Sequence, residues 1–480
     1  MVKKHPSFFI CLTGILFLFL FSYMTSPLFP KSHGWDSAFF QLVGAGMTKG
    51  YLPYRNFFDM KGPWLFFFQY LGELLWYGRT GIFLVQCVSL GVTLLLCCRI
   101  YRRFFAGKGF WDCFFVLLPL YVVMASTMEG GNLTEEWSLP FLFFPMYLSM
   151  DFLTGEKTDH KPAYGFGYGI CFGVIALIRI TNAVLICAIV LTITVFLIAE
   201  KKWLRLLQNG LAFMAGVFLA FLPPLLYFGH FGEIRNMLYC TFVFGAIYGT
   251  EGFGFGTGMF FILTLFFPVF LFGIMKVKNK RLWLLVISNT LGMMVTLGMG
   301  NSSLHDYMLI IPGVMPGIWM FAQGMRERKL AGSRRLMAAG ILTLCFAYPV
   351  YKLAGTGGIL LRQSENSRIY EHVLETAECI PEEERGSVLG YEVPLRWYTI
   401  ADIMPCSRYC GWQEHYMELV PDIETEMAEM FAEKPPTWIV TKSAIQISNQ
   451  MMRRQLENNY GIYQENEDFC LYRRSEGEGK

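Results

Sequence analysis

Gly34-Trp35-Asp36-Ser37 opens a stretch that runs amphipathically to Gly50 and continues Tyr51-Leu52-Pro53-Tyr54-Arg55-Asn56-Phe57-Phe58-Asp59-Met60-Lys61-Gly62-Pro63-Trp64. It follows an apolar run, Phe8 to Phe29, and precedes a second, Gly62 to Tyr77, rich in Phe and Trp. Whether that second run crosses a bilayer decides the side on which every later loop lies. Counting it as a crossing places Arg99-Ile-Tyr-Arg102-Arg103 outside, against the cytoplasmic bias of Lys and Arg. The run therefore reads as an interfacial or re-entrant helix.

With that choice, spans are expected at residues 8–29, 80–99, 110–126, 138–153, 165–180, 183–199, 209–229, 256–275, 282–299, 307–323 and 336–354. Each of these runs approaches the roughly 20 apolar residues that a bilayer needs. The first has the basic front of a signal peptide, Met-Val-Lys-Lys-His, without a small-residue cleavage site, and reads as an uncleaved helix with its N-terminus in the cytoplasm. The expected fold is thus an all-α polytopic membrane bundle of about 11 transmembrane helices, with interfacial helices in the first outer loop. Loops 99–108, 155–161, 200–205, 276–281 and 326–335 fall inside and carry basic residues. Loops 30–62, 127–137, 179–182, 230–252 and 300–306 fall outside and hold most of the isolated polar residues.

Composition agrees. Of 480 residues, 54% are hydrophobic and only 16% charged, and mean hydropathy is +0.40. A soluble chain carries about 25% charged residues, so a single water-soluble enzyme is excluded. The net charge of +3 averages two unlike parts: residues 362–480 hold 12 Lys+Arg against 22 Asp+Glu, the rest 28 against 15. Hydropathy collapses after Lys352. Helical patterns (367–380, 422–433, 448–458) alternate there with strand-like runs (387–391, 437–441, 469–472), which suggests a small α/β domain. The expected division is 1–354 for the membrane domain and 355–480 for an extracytoplasmic α/β domain, with Gly355-Thr-Gly-Gly358 as the hinge.

Thirteen Cys form no zinc spacing and mostly sit in apolar runs; only Cys379, Cys406, Cys410 and Cys470 raise a disulfide question, and their pairing is not legible. Asn132-Leu-Thr134 and Asn301-Ser-Ser303 match the glycosylation sequon, but both lie at helix ends close to the membrane. No basic motif points to nucleic acid.

The polar residues each have a plain structural reading. Asp36 suits a helix N-cap, and so do Asn132 and Thr134 in Glu129-Gly-Gly-Asn132-Leu-Thr134-Glu135-Glu136. Arg179, within Ile-Arg-Ile-Thr-Asn, interrupts apolar sequence, where a cation is costly unless it pairs, faces a wet cavity or snorkels. His305, in His305-Asp306-Tyr307, titrates in a useful range. Together they say more than separately. Carboxylates, the cations Lys61 and Arg179 and a histidine converge on one face of a bundle. A carboxylate there takes the proton of an attacking hydroxyl, and cations stabilise a departing phosphate.

Their order resembles the GT-C superfamily of glycosyltransferases, in particular the bacterial branch similar to protein O-mannosyltransferases and the aminoarabinose transferase of lipid A. The elements are Asp36 after the first helix, Gly50-Tyr51-Leu52-Pro53-Tyr54, and Asp59-Met60-Lys61-Gly62-Pro63, with Asn-Leu-Thr-Glu-Glu, Arg179 and His305-Asp306-Tyr307 downstream. The resemblance implies a polyprenyl-phosphate-linked sugar donor in the lipid bilayer and inverting transfer on the outer face to a glycan, lipid or protein acceptor. It implies Asp36 as general base, Lys61 and Arg179 on the donor phosphate, and Tyr54 and His305 in the pocket. Ser37 stands where that family often has Glu, so a second carboxylate must come from Asp59 or Glu135. No cofactor is expected on these residues; a divalent metal stays open, without support in the sequence. A transporter, flippase or polysaccharide polymerase remains the alternative; a transporter should show internal repeats, and none is visible. Trp397, Tyr398, Trp412 and Tyr416 suit either a carbohydrate surface or a domain core.

Overall fold

The computed structural model describes residues 6–105, 110–154, 159–249, 280–298, 303–327, 332, 336, 340, 343, 346–355, 363–443 and 445–475. The span expected at 256–275, residues 337–339, 341–342 and 344–345 of that at 336–354, residues 356–358 of the hinge, and Asn301 and Ser302 of the second sequon lie outside the described residues.

Helix α1 (Pro6–Phe21) is shorter than the expected 8–29. Pro27 and Pro30 cannot donate to a helix, and the Ser26 hydroxyl turns back on the Phe19 carbonyl at 2.8 Å, so the chain leaves the helix in turns. Then come α2 (Asp36–Thr48) and α3 (Pro63–Leu75). Thirteen residues at about 1.5 Å each make α3 too short to cross a bilayer core of about 30 Å. The interfacial reading of that segment fits its length. The long helices are α4 (Arg79–Phe104), α5 (Phe110–Thr127), α6 (Thr134–Thr154), α7 (Pro162–Arg179), α8 (Val184–Ala199) and α9 (Trp203–His230). Short α10 (Ile234–Leu238), a π-helical segment (Tyr239–Phe244) and α11 (Gly245–Tyr248) follow. Beyond them stand α12 (Lys280–Gly298), a 3₁₀ turn (Leu304–Leu309) and α13 (Ile310–Glu327). Among the described residues five helices are long and apolar enough to cross a membrane, α7 and α8 counting as one continuous stretch. This is a multi-pass membrane protein.

Close packing of α7 on α9 rests on small residues four apart. A Cβ at Gly165 or Gly169 would overlap the carbonyls of Asn209 or Phe213, and one at Gly216 the carbonyl of Phe166. Polar residues sort to the two ends. At one end Asp151 pairs with Arg103, Arg281 with Glu200 at 2.5 Å, and His160 with Asn209 at 2.7 Å. At the other lie Asp36, Glu129, Glu135, Arg179 and His305. Among the described residues, those from loops expected inside gather at one end and those from loops expected outside at the other.

The C-terminal part packs α14 (Gln363–Glu378), α15 (Arg396–Ala401), α16 (Gln413–Leu419), α17 (Asp422–Glu433) and α18 (Gln450–Asn459) on a four-stranded sheet. Its strands are β1 (Val388–Gly390), β2 (Trp438–Lys442), β3 (Tyr460–Glu465) and β4 (Phe469–Arg474), in the order β1-β2-β4-β3. β1 and β2 run parallel and the rest antiparallel. Edge strand β3 escaped the sequence reading because it buries little: Ile462 and Tyr463 are exposed. Cys379, Cys406, Cys410 and Cys470 are free thiols.

This domain docks on the first outer loop. The Phe58 amide donates to the Arg408 carbonyl at 2.9 Å, Lys31 and Lys49 pair with Glu371 and Asp402, and Asn366 reaches Ser32 at 3.0 Å.

Candidate active site between the bundle and the C-terminal domain

Asp36 is the first residue of α2, with Trp35 at the cap position and no capping hydrogen bond from the aspartate. The N-cap reading therefore fails. Its carboxylate makes no hydrogen bond or ion pair among the described residues and lines a polar pocket. Asp59, Lys61, Arg179, His305, Trp412 and Tyr416 line the same pocket, which leaves about 110 Å³ to water-sized occupants.

Local chain geometry explains why these residues meet. Helix α7 unwinds at its end: Leu177 is non-helical and Arg179 is extended. The Ile178 carbonyl, released from the helix, accepts the Gly62 amide at 2.9 Å. Only glycine fits at 62, because a Cβ there would run into the Leu177 carbonyl. Lys61, one residue earlier, is thus set beside Arg179. The Asp59 carboxylate accepts the Lys61 amide at 2.6 Å, and the Tyr54 hydroxyl donates to the Lys61 carbonyl at 2.8 Å. Both ends of that residue's backbone are held while its ammonium pairs with nothing among the described residues.

Arg179 donates through Nη1 to Glu135 at 2.8 Å and to Asp306. Its Nε and Nη2 bond no group among the described residues. Glu135 is wholly buried and also accepts from Thr134 at 2.7 Å and Asn182 at 3.3 Å. It stands behind Arg179 instead of in the pocket. Tyr54, expected in the pocket, likewise lies beneath it, fully buried under Lys61. Of the two candidates for a second carboxylate beside Asp36, the pocket contains Asp59.

His305 Nδ1 bonds Glu129 at 2.7 Å. Burial alone would lower its pKa, but the Glu129 hydrogen bond and the charges of Glu135, Asp306 and Glu129 outweigh burial and raise it to about 9. It is a third cation at the pocket, not a group titrating near neutrality. Burial pushes the Asp59 carboxyl up to about 6, against the pull of the Lys61 charge and backbone amide and with a push from Asp36.

Glu135, His305 and Asp306 bring ligand atoms within 4.8 Å of one another, and Glu135 Oε2 has no hydrogen-bond partner among the described residues. The set does not suit a resident divalent ion as arranged. Arg179 already lies between the two carboxylates, His305 is committed to Glu129, and the second Asp306 oxygen takes the Ser303 amide at 2.8 Å. The guanidinium supplies the charge that a metal would bring.

Behind Asp36 a buried polar network fixes the start of α2. Asn132, in a left-handed conformation with φ 63°, donates to the Ser37 carbonyl and hydroxyl at 3.3 Å and to Gln69 at 3.0 Å. Its oxygen accepts from Gln69 at 2.8 Å and Trp137 at 3.0 Å, and Glu136 accepts its amide at 2.8 Å. Trp397 and Tyr398 are domain core, whereas Trp412 and Tyr416 face the pocket; neighbouring Phe39, Phe40 and Tyr248 carried no sequence signal for it beyond their apolarity. A larger groove of about 500 Å³, lined by apolar side chains such as Phe68, Val88, Val92 and Phe144, opens between α3, α4, α6 and α7 on a different face of α6 from Glu135.

No family model and no curated relative matches the sequence. Solved structures do. ArnT from Cupriavidus metallidurans bound to undecaprenyl phosphate superposes with a TM-score of 0.65 at 12% identity over 98% of both chains. Its apo state gives 0.62 at 12% identity over 97% of both. The apo oligosaccharyltransferase of Archaeoglobus fulgidus gives 0.52 at 13% identity, covering 92% of this chain and 70% of that one. Both proteins are GT-C glycosyltransferases, and at these identities the likeness is one of fold. The GT-C likeness expected from the loop order is borne out at the level of fold.

Proposed function

We propose that the chain is an integral-membrane glycosyltransferase of the GT-C type, moving a sugar from a polyprenyl-phosphate donor to an acceptor hydroxyl on the outer face of the plasma membrane. The observation that carries this reading is one pocket holding a carboxylate, Asp36, an ammonium, Lys61, and two guanidinium nitrogens of Arg179, all without partners among the described residues. Asp36 takes the acceptor proton as the acceptor oxygen bonds the sugar C1. The C1–O bond to the phosphate breaks, and Lys61 and Arg179 stabilise the charge left on the polyprenyl phosphate. Attack opposite the leaving group inverts the anomeric centre, as in inverting hydrolases. Glu135 and Asp306 hold Arg179 in place, so no step runs through a metal.

The apolar groove between α3, α4, α6 and α7 has a lining suited to isoprenoid units. The N-terminus is cytoplasmic in this reading and the C-terminal domain extracytoplasmic. The neighbour that carries undecaprenyl phosphate supports the donor class. The test is transfer of labelled sugar from lipid-extracted polyprenyl-phosphate sugars by the protein in proteoliposomes. Asp36→Asn is expected to lower the rate by about 10²-fold or more. Undiminished transfer by that variant removes Asp36 as base, and a wild-type protein that never consumes the donor removes the function.

A further inference from the structure

Two tryptophans from different domains come near Asp36: Trp35 beside it in the chain, and Trp412, half-buried against the C-terminal core, in the same pocket. Trp35 immediately precedes the aspartate, yet is 46% exposed. The Lys442 ammonium, at the end of β2, sits 4.8 Å from its ring centroid and covers one face. Trp412 lines the pocket itself, its ring 6.4 Å from that of Phe39 on α2.

Trp412 is also held in a conformation that costs energy. Its φ is 53°, left-handed for a bulky residue, and the next residue fixes it there: Gln413 donates to the Gly390 carbonyl at 2.6 Å and to the Tyr409 carbonyl at 2.9 Å. A backbone strained and pinned in this way presents its side chain at a set place. The two indole N–H groups are also open to a ligand: those of Trp35 and Trp412 meet no acceptor among the described residues, as is true of Trp76, Trp111, Trp203 and the buried Trp319, whereas those of Trp64, Trp137, Trp397 and Trp438 donate to protein acceptors.

We propose that Trp35 and Trp412 form the acceptor subsite of this enzyme and that the acceptor is a saccharide, whose ring faces stack on the two indoles while a hydroxyl reaches Asp36. The inference rests on the transferase reading and deepens it. Flat aromatic faces with free N–H donors at their edges match the apolar C–H face and hydroxyl rim of a pyranose. An acyl chain would leave both donors and the Lys442 ammonium without partners, and desolvating them would oppose its binding. Lys442 keeps the Trp35 ring upright and offers its charge to ring hydroxyls. The C-terminal domain thereby becomes part of the site, supplying one wall of it and the cation on the other.

The experiment uses the full chain in proteoliposomes with labelled polyprenyl-phosphate sugars. Polysaccharide, lipid and protein fractions of the host envelope are offered separately as acceptors. Trp412→Gly removes the ring while suiting φ 53°, so it keeps the fold where Trp412→Ala adds strain. Label is expected in a saccharide-bearing fraction. Trp412→Gly and Trp35→Ala are expected to raise the half-saturating acceptor concentration about tenfold each, with donor dependence within about twofold, and Trp412→Phe to recover most of the loss. Label entering only sugar-free protein or lipid, or unchanged acceptor dependence in both variants, overturns the subsite while leaving the transferase standing. No donor consumption by the wild type overturns the transferase itself.

Discussion

The Gly62 amide donates to the Ile178 carbonyl at 2.9 Å, and that bond joins the first outer loop to the unwound end of α7. It sets Lys61 and Arg179 side by side, although one stands on a loop and the other ends a membrane helix. Gly62→Ala places a methyl against the Leu177 carbonyl and forces the loop away. Transfer is expected to fall by about 10²-fold, since small displacements of positioning groups carry that cost. The measurement is transfer rate alongside melting temperature in detergent, with melting changed far less than rate.

Arg179 stands where a metal's charge would be needed, between Glu135 and Asp306. Chelation with EDTA is therefore expected to leave transfer within about twofold of its starting rate. Arg179→Gln leaves Glu135 buried without its cation. Discounted for the part of Arg179 that solvent reaches, the loss is on the order of 2 kcal/mol, read as a lower melting temperature, and added magnesium does not restore transfer.

Asp59 gives a pH signature. Its carboxyl is raised from the ordinary 3.8 to about 6, chiefly by burial. A raised pKa means that the folded state holds the proton more tightly. The stabilisation is complete below about 4 and is lost as pH rises through about 6. Asp59→Asn mimics the neutral form and keeps an acceptor for the Lys61 amide. Its melting temperature relative to wild type is expected to rise between about pH 4 and pH 6 and to level off above; a difference independent of pH contradicts the assignment.

Asn132 is the node behind Asp36. Replacing it by Leu strands the Gln69 amide, the Trp137 indole N–H and the Ser37 carbonyl at once. Each buried group left unpaired costs about 1–3 kcal/mol, and the losses in one network do not add simply. Asn132→Leu is expected to destabilise the protein by about 3 kcal/mol, whereas Asn132→Asp, which keeps the acceptors but not the donors, loses less. Thermal melting of both variants decides it.

Sidedness is testable without an assay for activity. Single cysteines at 129 and 201, in a variant stripped of reactive cysteines, are expected to react from opposite faces with a membrane-impermeant maleimide, 129 from outside. Labelling of both from the same face would undo the topology, because α7 is held at one end through Arg179 to Glu135 of α6 and at the other through the preceding His160 to Asn209 of α9, which fixes which loops lie together.

Much of this was legible in the sequence. The basic Arg99-Ile-Tyr-Arg102-Arg103 argued that α3 does not cross, and α3 is indeed too short. Asp36, Lys61, Arg179 and His305 stand out by polarity near the membrane, Asp59 as a candidate second carboxylate under the resemblance, and all five line one pocket. Tyr54, placed in the pocket by the resemblance, and Glu135, the other candidate carboxylate, stand behind it, because neither motif order nor polarity marks the direction a side chain faces. β3 was missed since an exposed edge strand has no apolar alternation to read.

Membrane class, the order of helices and loops, and the end of the bundle that carries the polar residues follow from the sequence alone, because hydropathy and charge act locally and each segment answers to the bilayer by itself. The contents of the site depended on contacts far apart in the chain. The unwinding of α7 at Leu177, the glycine that lets Lys61 approach it, and the docking that carries Trp412 and Tyr416 to Asp36 are all of that kind. A buried hydrogen bond or an aromatic contact is selected by its partner, and that partner exists only once the chain has folded around it.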